Sequence, residues 1–232
     1  AEAKWGYTVL NVADWDGDGL LDIVFNSIWG KVEWLKNTGT KEKAVLAAAQ
    51  PITVEWEGPT PKPAWYWWNP EGKNLVTQWR TSPIVKDLNG DGLVDLSMLD
   101  QEGYLAFFER KKSEAGLVLL PPKRIFKDDK GQPLRLNEKN AGGSGRRKFT
   151  MGDWDGDGDV DILINGKNID FMRNVAEKAG EFKFKNEGEV DIQLLAGHDT
   201  CPTLVDWNKD GKAELLIGAE DGFFYYLAAP KE

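Results

Sequence analysis

The stretch DWDGDGLLD, Asp14 to Asp22, decides how the rest of the chain is read. It returns as DLNGDGLVD (Asp87 to Asp95), as DWDGDGDVD (Asp153 to Asp161) and as DWNKDGKAE (Asp206 to Glu214). The shared pattern places oxygen-bearing side chains at positions 1, 3, 5 and 9 and Gly at position 6. Alternate side chains of a tight loop converge on one point, and hard oxygens without thiolate or imidazole suit Ca²⁺. The Gly permits the positive φ that so sharp a turn needs. With position 7 included, the candidate ligands of the first loop are Asp14, Asp16, Asp18, Leu20 and Asp22. Those of the second are Asp87, Asn89, Asp91, Leu93 and Asp95, and those of the third are Asp153, Asp155, Asp157, Asp159 and Asp161. The fourth offers Asp206, Asn208, Asp210, Lys212 and Glu214; Asn208, Lys209 and Glu214 lower its charge and change its geometry, so three to four sites are expected.

An EF-hand opens the same way but needs a bidentate Glu at position 12. Here position 12 is Phe25, Met98, Ile164 or Ile217, all apolar. Each loop instead runs into a short strand-like segment, DIVFN, DLSML, DILIN or ELLIG, so the loop joins two strands. The alternative is an Asp-Gly hairpin with no metal, which fourfold repetition of the ligand spacing argues against.

The 232 residues carry a net charge of −9, and fourteen carboxylates stand at positions 1, 3, 5 and 9 of the four loops. Four divalent ions would bring that charge to about −1, so the acidity belongs to the loops and says little about partners. No basic run outweighs it, which argues against nucleic acid. The single cysteine, Cys201, excludes an intrachain disulfide and reads as a small core residue. No apolar run reaches the roughly 18 residues of a membrane span. The chain opens at Ala1 without Met, so upstream sequence is expected to have been removed. Loosely built calcium loops need the high calcium found outside the cell, and the parent protein is expected to be extracellular, periplasmic or on the cell surface.

The loops start at 14, 87, 153 and 206, and the same grammar surrounds each. A β run leads in (YTVLNVAD, SPIVKD, KFTMGD, TLVD), the loop and second strand follow, and a short turn (SIWGK, DQEGY, NGKN, AEDGF) leads to a third strand. The third strands are VEWLKN, LAFFER, IDFMRN and FFYYLAA; a less regular fourth is expected at ITVEWEG, LVLLPPKRIF and FKFKNEGEV. Four antiparallel strands with hairpin connections make the blade of a β-propeller. The all-β repeats are placed at about 7–57, 82–126, 147–194 and 200–232, within a single domain spanning 1–232.

The loop followed by Asp-Leu/Ile and two hydrophobic residues, then x-Gly-x-aromatic, resembles the FG-GAP/VCBS repeats of integrin-type and bacterial surface propellers. The closing GAEDGFFYYLAAP is especially similar to a bacterial VCBS blade. The resemblance covers nearly the whole chain and implies a calcium-stabilised propeller whose metal loops join the first and second strands of each blade. It fixes no function, since this fold hosts adhesion, ligand-binding and enzymatic proteins. The fourth repeat ends after its third strand, so the chain is read as the C-terminal part of a seven- or eight-bladed propeller that the remaining blades complete. A compact four-bladed ring is the alternative.

Two insertions, 58–80 (Pro- and Trp-rich) and 121–145 (polar and Gly-rich), break the rhythm. The cluster Trp65 to Trp68 reads either as a sugar-stacking shelf or as an inter-blade plug. In the implied topology the segments entering each first strand gather on the face opposite the metal loops. They carry Lys4, Arg80, Arg146, Arg147, Lys148 and the only histidine, His198, beside Trp5 and Trp79, with Trp29 from a neighbouring turn. A basic, aromatic rim on an acidic protein suits an anionic or carbohydrate ligand; the plainer alternative is that the cations are solvated or paired and the Trp residues are core. Two functions follow. One is a calcium-dependent binding or adhesion module for carbohydrate or another extracellular ligand. The other is part of a polysaccharide lyase on uronate-containing glycans, with His198 as base and Arg80, Arg146 and Arg147 as neutralisers.

Overall fold

A computed structural model of the chain describes residues 8–27, 29–62, 68–114, 116–137, 147–191, 193–195 and 200–228. These residues are all-β, and they are built as the four propeller-type blades that the repeats predict. The chain divides into two compact units, Ala1–Ile125 with Arg135–Gly145, and Phe126–Leu134 with Arg146–Glu232. Each unit contains two blades.

In the first unit, blade 1 is an antiparallel sheet of β1 (Val9–Ala13), β2 (Asp22–Asn26), β3 (Val32–Leu35) and β4 (Gln50–Pro51), in that order. The fourth strand starts before the expected ITVEWEG and is brief. Pro51 has no N–H to give the ladder, and past Ile52 the chain turns to other partners, Val54 donating to the Lys73 carbonyl and Glu55 to that of Leu119. Blade 2 consists of β5 (Ile84–Lys86), β6 (Asp95–Leu99) and β7 (Leu105–Phe108). The expected outer strand LVLLPPKRIF is split. Its first part forms β9 (Gly116–Leu119) in a hairpin with β8 (Arg110–Ser113), and after the Pro121-Pro122 interruption only Lys123 reaches the blade edge, bridging Phe107.

In the second unit, β10 (Phe126–Asp128) precedes blade 3, which is formed by β11 (Phe149–Gly152), β12 (Asp161–Asn165), β13 (Ile169–Asn174) and β14 (Phe182–Glu189). Blade 4 is formed by β15 (Cys201–Val205), β16 (Glu214–Gly218) and β17 (Phe224–Leu227), with no outer strand among the described residues. Strand β14 alternates buried Phe182 and Phe184 with exposed Lys183 and Lys185, as a strand with one covered face must. The unexpected element is β10, a parallel fifth strand on the outer edge of blade 3, drawn from the insertion that reads as a polar loop. Its anchor is Phe126, fully buried against Phe182 and Phe184 with ring centroids 5.2 and 6.3 Å away.

Within each unit the first strands of the two blades are neighbours, β1 beside β5 and β11 beside β15. Strands β6 and β12 are buried along their whole length, which explains why DLSML and DILIN read as nearly continuous apolar runs. The core of the first unit includes Trp15, Val24, Val32, Leu96, Met98 and Phe108, and that of the second Trp154, Leu163, Ile169, Leu215 and Ile217. The turn before β7 needs Gly103 twice over: its φ is 87°, and a Cβ there would meet the Asn137 carbonyl oxygen at 2.0 Å.

Since Phe126 alone carries the apolar contact of β10, Phe126→Ala is expected to destabilise the second unit by about 3–5 kcal/mol. Urea denaturation followed by far-UV circular dichroism measures this; a loss below about 1 kcal/mol would show that β10 is a passenger on the blade.

Candidate metal centre

Each of the four loops closes first on its position-1 carboxylate. Asp14 Oδ1 accepts the backbone N–H of Gly17 (2.9 Å) and of Asp18 (3.0 Å), and Oδ2 accepts that of Gly19 (2.8 Å). Asp87, Asp153 and Asp206 repeat this, with both carboxylate oxygens taking loop N–H groups at 2.8–3.1 Å. The position-5 carboxylates of Asp18, Asp91, Asp157 and Asp210 each accept the N–H of position 7 at 2.9–3.0 Å, which brings Leu20, Leu93, Asp159 and Lys212 into the turn through their backbone. Position 6 has φ of 84–91° and is Gly throughout. Position 4 is also left-handed: Gly17, Gly90 and Gly156 lie at 76–82°, and Lys209 at 62°. A Cβ at Gly156 would meet nothing within 4 Å, so the demand there is torsional rather than steric.

Position 9 does something different. Asp22, Asp95, Asp161 and Glu214 are buried, 0–2% exposed. Asp22 Oδ2 accepts the N–H of Trp15 (3.0 Å) and Oδ1 that of Asn37 (2.7 Å). Asp161 does the same with Trp154 (3.0 Å) and Asn174 (2.9 Å), and Asp95 with Leu88 (3.3 Å) and Arg110 (2.8 Å). Glu214 Oε2 accepts the Trp207 N–H at 2.7 Å. One buried carboxylate therefore ties the start of each of the first three loops to the end of the third strand. Burial pushes the Asp161 carboxyl up to about 6, against the lowering effect of its two backbone donors; Asp155 and Asp157 add to the rise. Asp95 is raised for the same leading reason.

The loops differ in how their charge is met. Carboxylate oxygens of Asp14, Asp16 and Asp18 lie within 4.8 Å of one another, and so do those of Asp153, Asp155 and Asp161. Asp16 Oδ1 is buried and has no hydrogen-bond partner. A cation from the third strand answers each cluster: Lys36 Nζ pairs with Asp16 and, at 2.7 Å, with Asp18, while Arg173 pairs with Asp155 at 2.8 Å and Asp157 at 3.0 Å. Lys36, through its hydrogen bond, holds Asp18 below the ordinary carboxylate range; Asp157 is lowered first by the Asp159 N–H and then by Arg173. In the other two loops position 3 is an amide. Asn89 Nδ2 donates to Asp91 at 3.3 Å, and Asn208 Nδ2 to Asp210 at 3.0 Å and Glu214 at 2.7 Å. The matching third-strand positions hold Glu109 and Ala228. The all-oxygen donor set of the first and third loops, with a buried oxygen unmatched, fits a hard divalent cation. Nothing in the loop pattern alone identifies Lys36 or Arg173; the signal was their shared place before an Asn in VEWLKN and IDFMRN.

The rim residues fall into two groups. In the first unit, Ser27 brings together Trp29, whose N–H bonds Ser27 Oγ at 3.1 Å, and Arg80, whose N–H bonds the Ser27 carbonyl at 3.3 Å. Trp29 is exposed; Trp79 and Arg80 are buried, the guanidinium 4.3 Å from the indole centroid, and Arg80 has a left-handed backbone at φ 57°. In the second unit, Asn165 gathers Arg147, whose guanidinium donates to its carbonyl at 2.9 Å, and buried Lys148, whose N–H donates to Oδ1 at 3.1 Å. Lys4, Trp5, Arg146, His198 and three of the four residues of the Trp65–Trp68 cluster lie outside the described residues.

Residues 153–217, from the third loop to the strand after the fourth, match the FG-GAP-like repeat family. No curated protein matches the chain. Among solved structures, the chain is similar to an Agrocybe aegerita lectin studied for specific recognition of non-reducing terminal N-acetylglucosamine, with a TM-score of 0.43 and 18% identity over 94% of this chain and 48% of that one. It is also similar to the Photorhabdus luminescens Tc holotoxin pore, with a TM-score of 0.44 and 19% identity over 97% of this chain. The chain thus spans about half the length of the lectin and 9% of the toxin chain.

Two outcomes follow from this geometry. Lys209→Gly relieves a left-handed strain of about 1–2 kcal/mol while adding about 0.5–1 kcal/mol of unfolded-state entropy. A net gain of up to about 1.5 kcal/mol in urea unfolding is expected from those terms. A loss would show that the Lys209 side chain contributes more than its backbone costs. For Asp161, a folded-state pKa near 6, above its ordinary 3.8, means that the native protein binds a proton the unfolded chain has released. With EDTA present, stability is therefore expected to fall as pH rises from about 4 through about 6 and then to level off. Melting temperatures across that range measure it, and Asp161→Asn should flatten the fall.

Proposed function

We propose that this chain is a calcium-stabilised binding module of the FG-GAP type, working outside the cytoplasm on carbohydrate or anionic polysaccharide. The observation that carries the proposal is the pair of carboxylate clusters, Asp14–Asp16–Asp18 and Asp153–Asp155–Asp161, each closed within 4.8 Å and each met by an internal cation. Four carboxylates held in one loop repel one another unless a cation joins them. Lys36 and Arg173 supply one positive charge each, where a divalent ion would supply two and take the unmatched Asp16 oxygen as well. Calcium supplies structural cross-linking of the loop, with no part in bond making or breaking; Asp14, Asp16, Asp18, Asp153, Asp155 and Asp161 would hold it. Solvated loops of this kind bind calcium at the concentrations found outside cells, which supports that setting. The carbohydrate reading rests on exposed Trp29 and half-buried Trp68 in the first unit and, separately, on Arg147 in the second. Indole faces suit sugar rings, and guanidinium forks suit their acidic groups.

Calorimetric titration of the chelated protein with Ca²⁺ is the direct test. Uptake at the first and third loops is expected, with a stabilisation of about 2.7 kcal/mol per site at a hundredfold excess over Kd. Asp153→Ala should remove one of those sites. Lys36→Met should lower the melting temperature in EDTA yet tighten calcium binding, because the competing cation is gone. No heat of binding, and melting indifferent to EDTA, would end the calcium reading.

A further inference from the structure

The first unit holds a cavity of about 470 Å³ beside the first loop, within the roughly 300–1,000 Å³ of small-ligand sites. Trp15, Asp16, Trp34, Lys36, Gln50 and Arg110 contribute to its wall. Arg110 is the unusual member. It is 5% exposed, and its guanidinium stacks on the Trp15 indole with Cζ 3.7 Å from the ring centroid. That contact answers the charge but none of the five N–H donors. Among the described residues the guanidinium has no hydrogen-bond acceptor, and Nη1 is buried without a partner. A donor left unmet in this way costs about 1–3 kcal/mol. The backbone N–H of Arg110 is fixed to buried Asp95 at 2.8 Å, so the side chain starts from an anchored point.

The rest of the wall says what kind of acceptor fits. Trp34 is half-buried and offers an aromatic surface, Gln50 offers an amide, and Asp16 brings a carboxylate. Lys36 pairs with Asp16 and offsets its charge, which among the described residues leaves Arg110 as the wall's one unpaired charge; a monoanion with neighbouring hydroxyls matches it, its hydroxyls within the reach of Gln50 and Asp16. We infer that this cavity binds a hexuronic acid unit, with the carboxylate on Arg110, the ring on Trp34 and the hydroxyls toward Gln50 and Asp16. The inference deepens the binding-module reading and rests on it only for the glycan class; neither Arg80 nor Arg147, which the sequence singles out, lines this cavity.

The test is calorimetry of the whole chain, in calcium-containing buffer, with a tetramer of galacturonate, with maltotetraose as the neutral comparison and with benzoate as a carboxylate lacking hydroxyls. The galacturonate tetramer is expected to bind at least tenfold tighter than either. Arg110→Met, which keeps the stem on Trp15, and Trp34→Ala should each weaken it at least tenfold, while Lys178→Ala, at an exposed residue of the second unit, should not. Should Arg110→Met fail to fold, the Trp34 indole N–H resonance of the unmodified protein decides instead: it must move on titration with the galacturonate tetramer. Full-strength binding by folded Arg110→Met and Trp34→Ala, or an unmoved Trp34 resonance despite binding, would overturn the cavity assignment and leave the module reading standing. Benzoate binding as tightly as the galacturonate tetramer would overturn the sugar class. If the unmodified protein binds no glycan at all, the module reading falls with it.

Discussion

A buried carboxylate with two backbone N–H donors is the joint on which each of the first three blades turns. Asp22, Asp95 and Asp161 each take one N–H from position 2 of their loop and one from the end of the third strand. Both donors would otherwise be buried and unmet, at about 1–3 kcal/mol each. The same bond sets the position-2 side chain. In the first and third loops that residue is Trp, and the clamp delivers Trp15 and Trp154 into the cores shared by the two blades of each unit. Loop shape, strand pairing and blade packing thus depend on one side chain per repeat. Glu214 keeps the loop half of the clamp with one more methylene, and Trp207 at its position 2 stays 65% exposed.

Charge is settled repeat by repeat, and the settlement varies. Where position 3 is Asp, the third strand supplies Lys36 or Arg173 in the same register position; where it is Asn, that position is Glu109 or Ala228, and the Asn amide donates to the loop's own carboxylates. The two solutions have different consequences. An amide leaves the loop with fewer charges and a closed internal hydrogen-bond set. A lysine or arginine leaves four carboxylates in place and balances them with a side chain that can withdraw. Only the second arrangement keeps a carboxylate at every side-chain ligand position while a side-chain cation offsets the charge.

Much of this could be read from residues alone. The fourfold loop fixed where strands begin, and the apolar position 12 excluded an exit helix; β2, β6, β12 and β16 follow the loops as expected. The outer strands were less legible, because their pairing depends on which N–H groups are present and free. Pro51 shortens β4, and Pro121-Pro122 leaves a single bridge at Lys123. Strand β10 was misread for another reason: Phe126 closes LVLLPPKRIF, expected on the second repeat, and only its burial against Phe182 and Phe184 assigns it to blade 3. At the loops, the ligand spacing was plain, but Lys36 and Arg173 are remote in sequence and lie on the third strand. The rim reading drew on sequence position, whereas Trp79, Arg80 and Lys148 are buried by contacts that no local pattern announces.

The acidic loops read as purely structural in the sequence, and the first unit complicates that division. Asp16 belongs to the first loop's carboxylate cluster and also to the wall of the cavity that Arg110 lines. Lys36 stands in both places too, paired with Asp16 and Asp18 while forming part of the same wall. A divalent ion taken up by Asp14, Asp16 and Asp18 would draw the Asp16 charge away from the cavity and release Lys36 from its two partners. Burial already pulls the Arg110 guanidinium down to about 10, while Asp16 and Asp95 pull it back up. Committing Asp16 to metal would remove part of that support and leave the guanidinium more in need of an anion. By linkage, an anion held there must favour the metal-bound loop by the same factor. In the proposed function, then, the first loop is the place where scaffold and ligand site share residues.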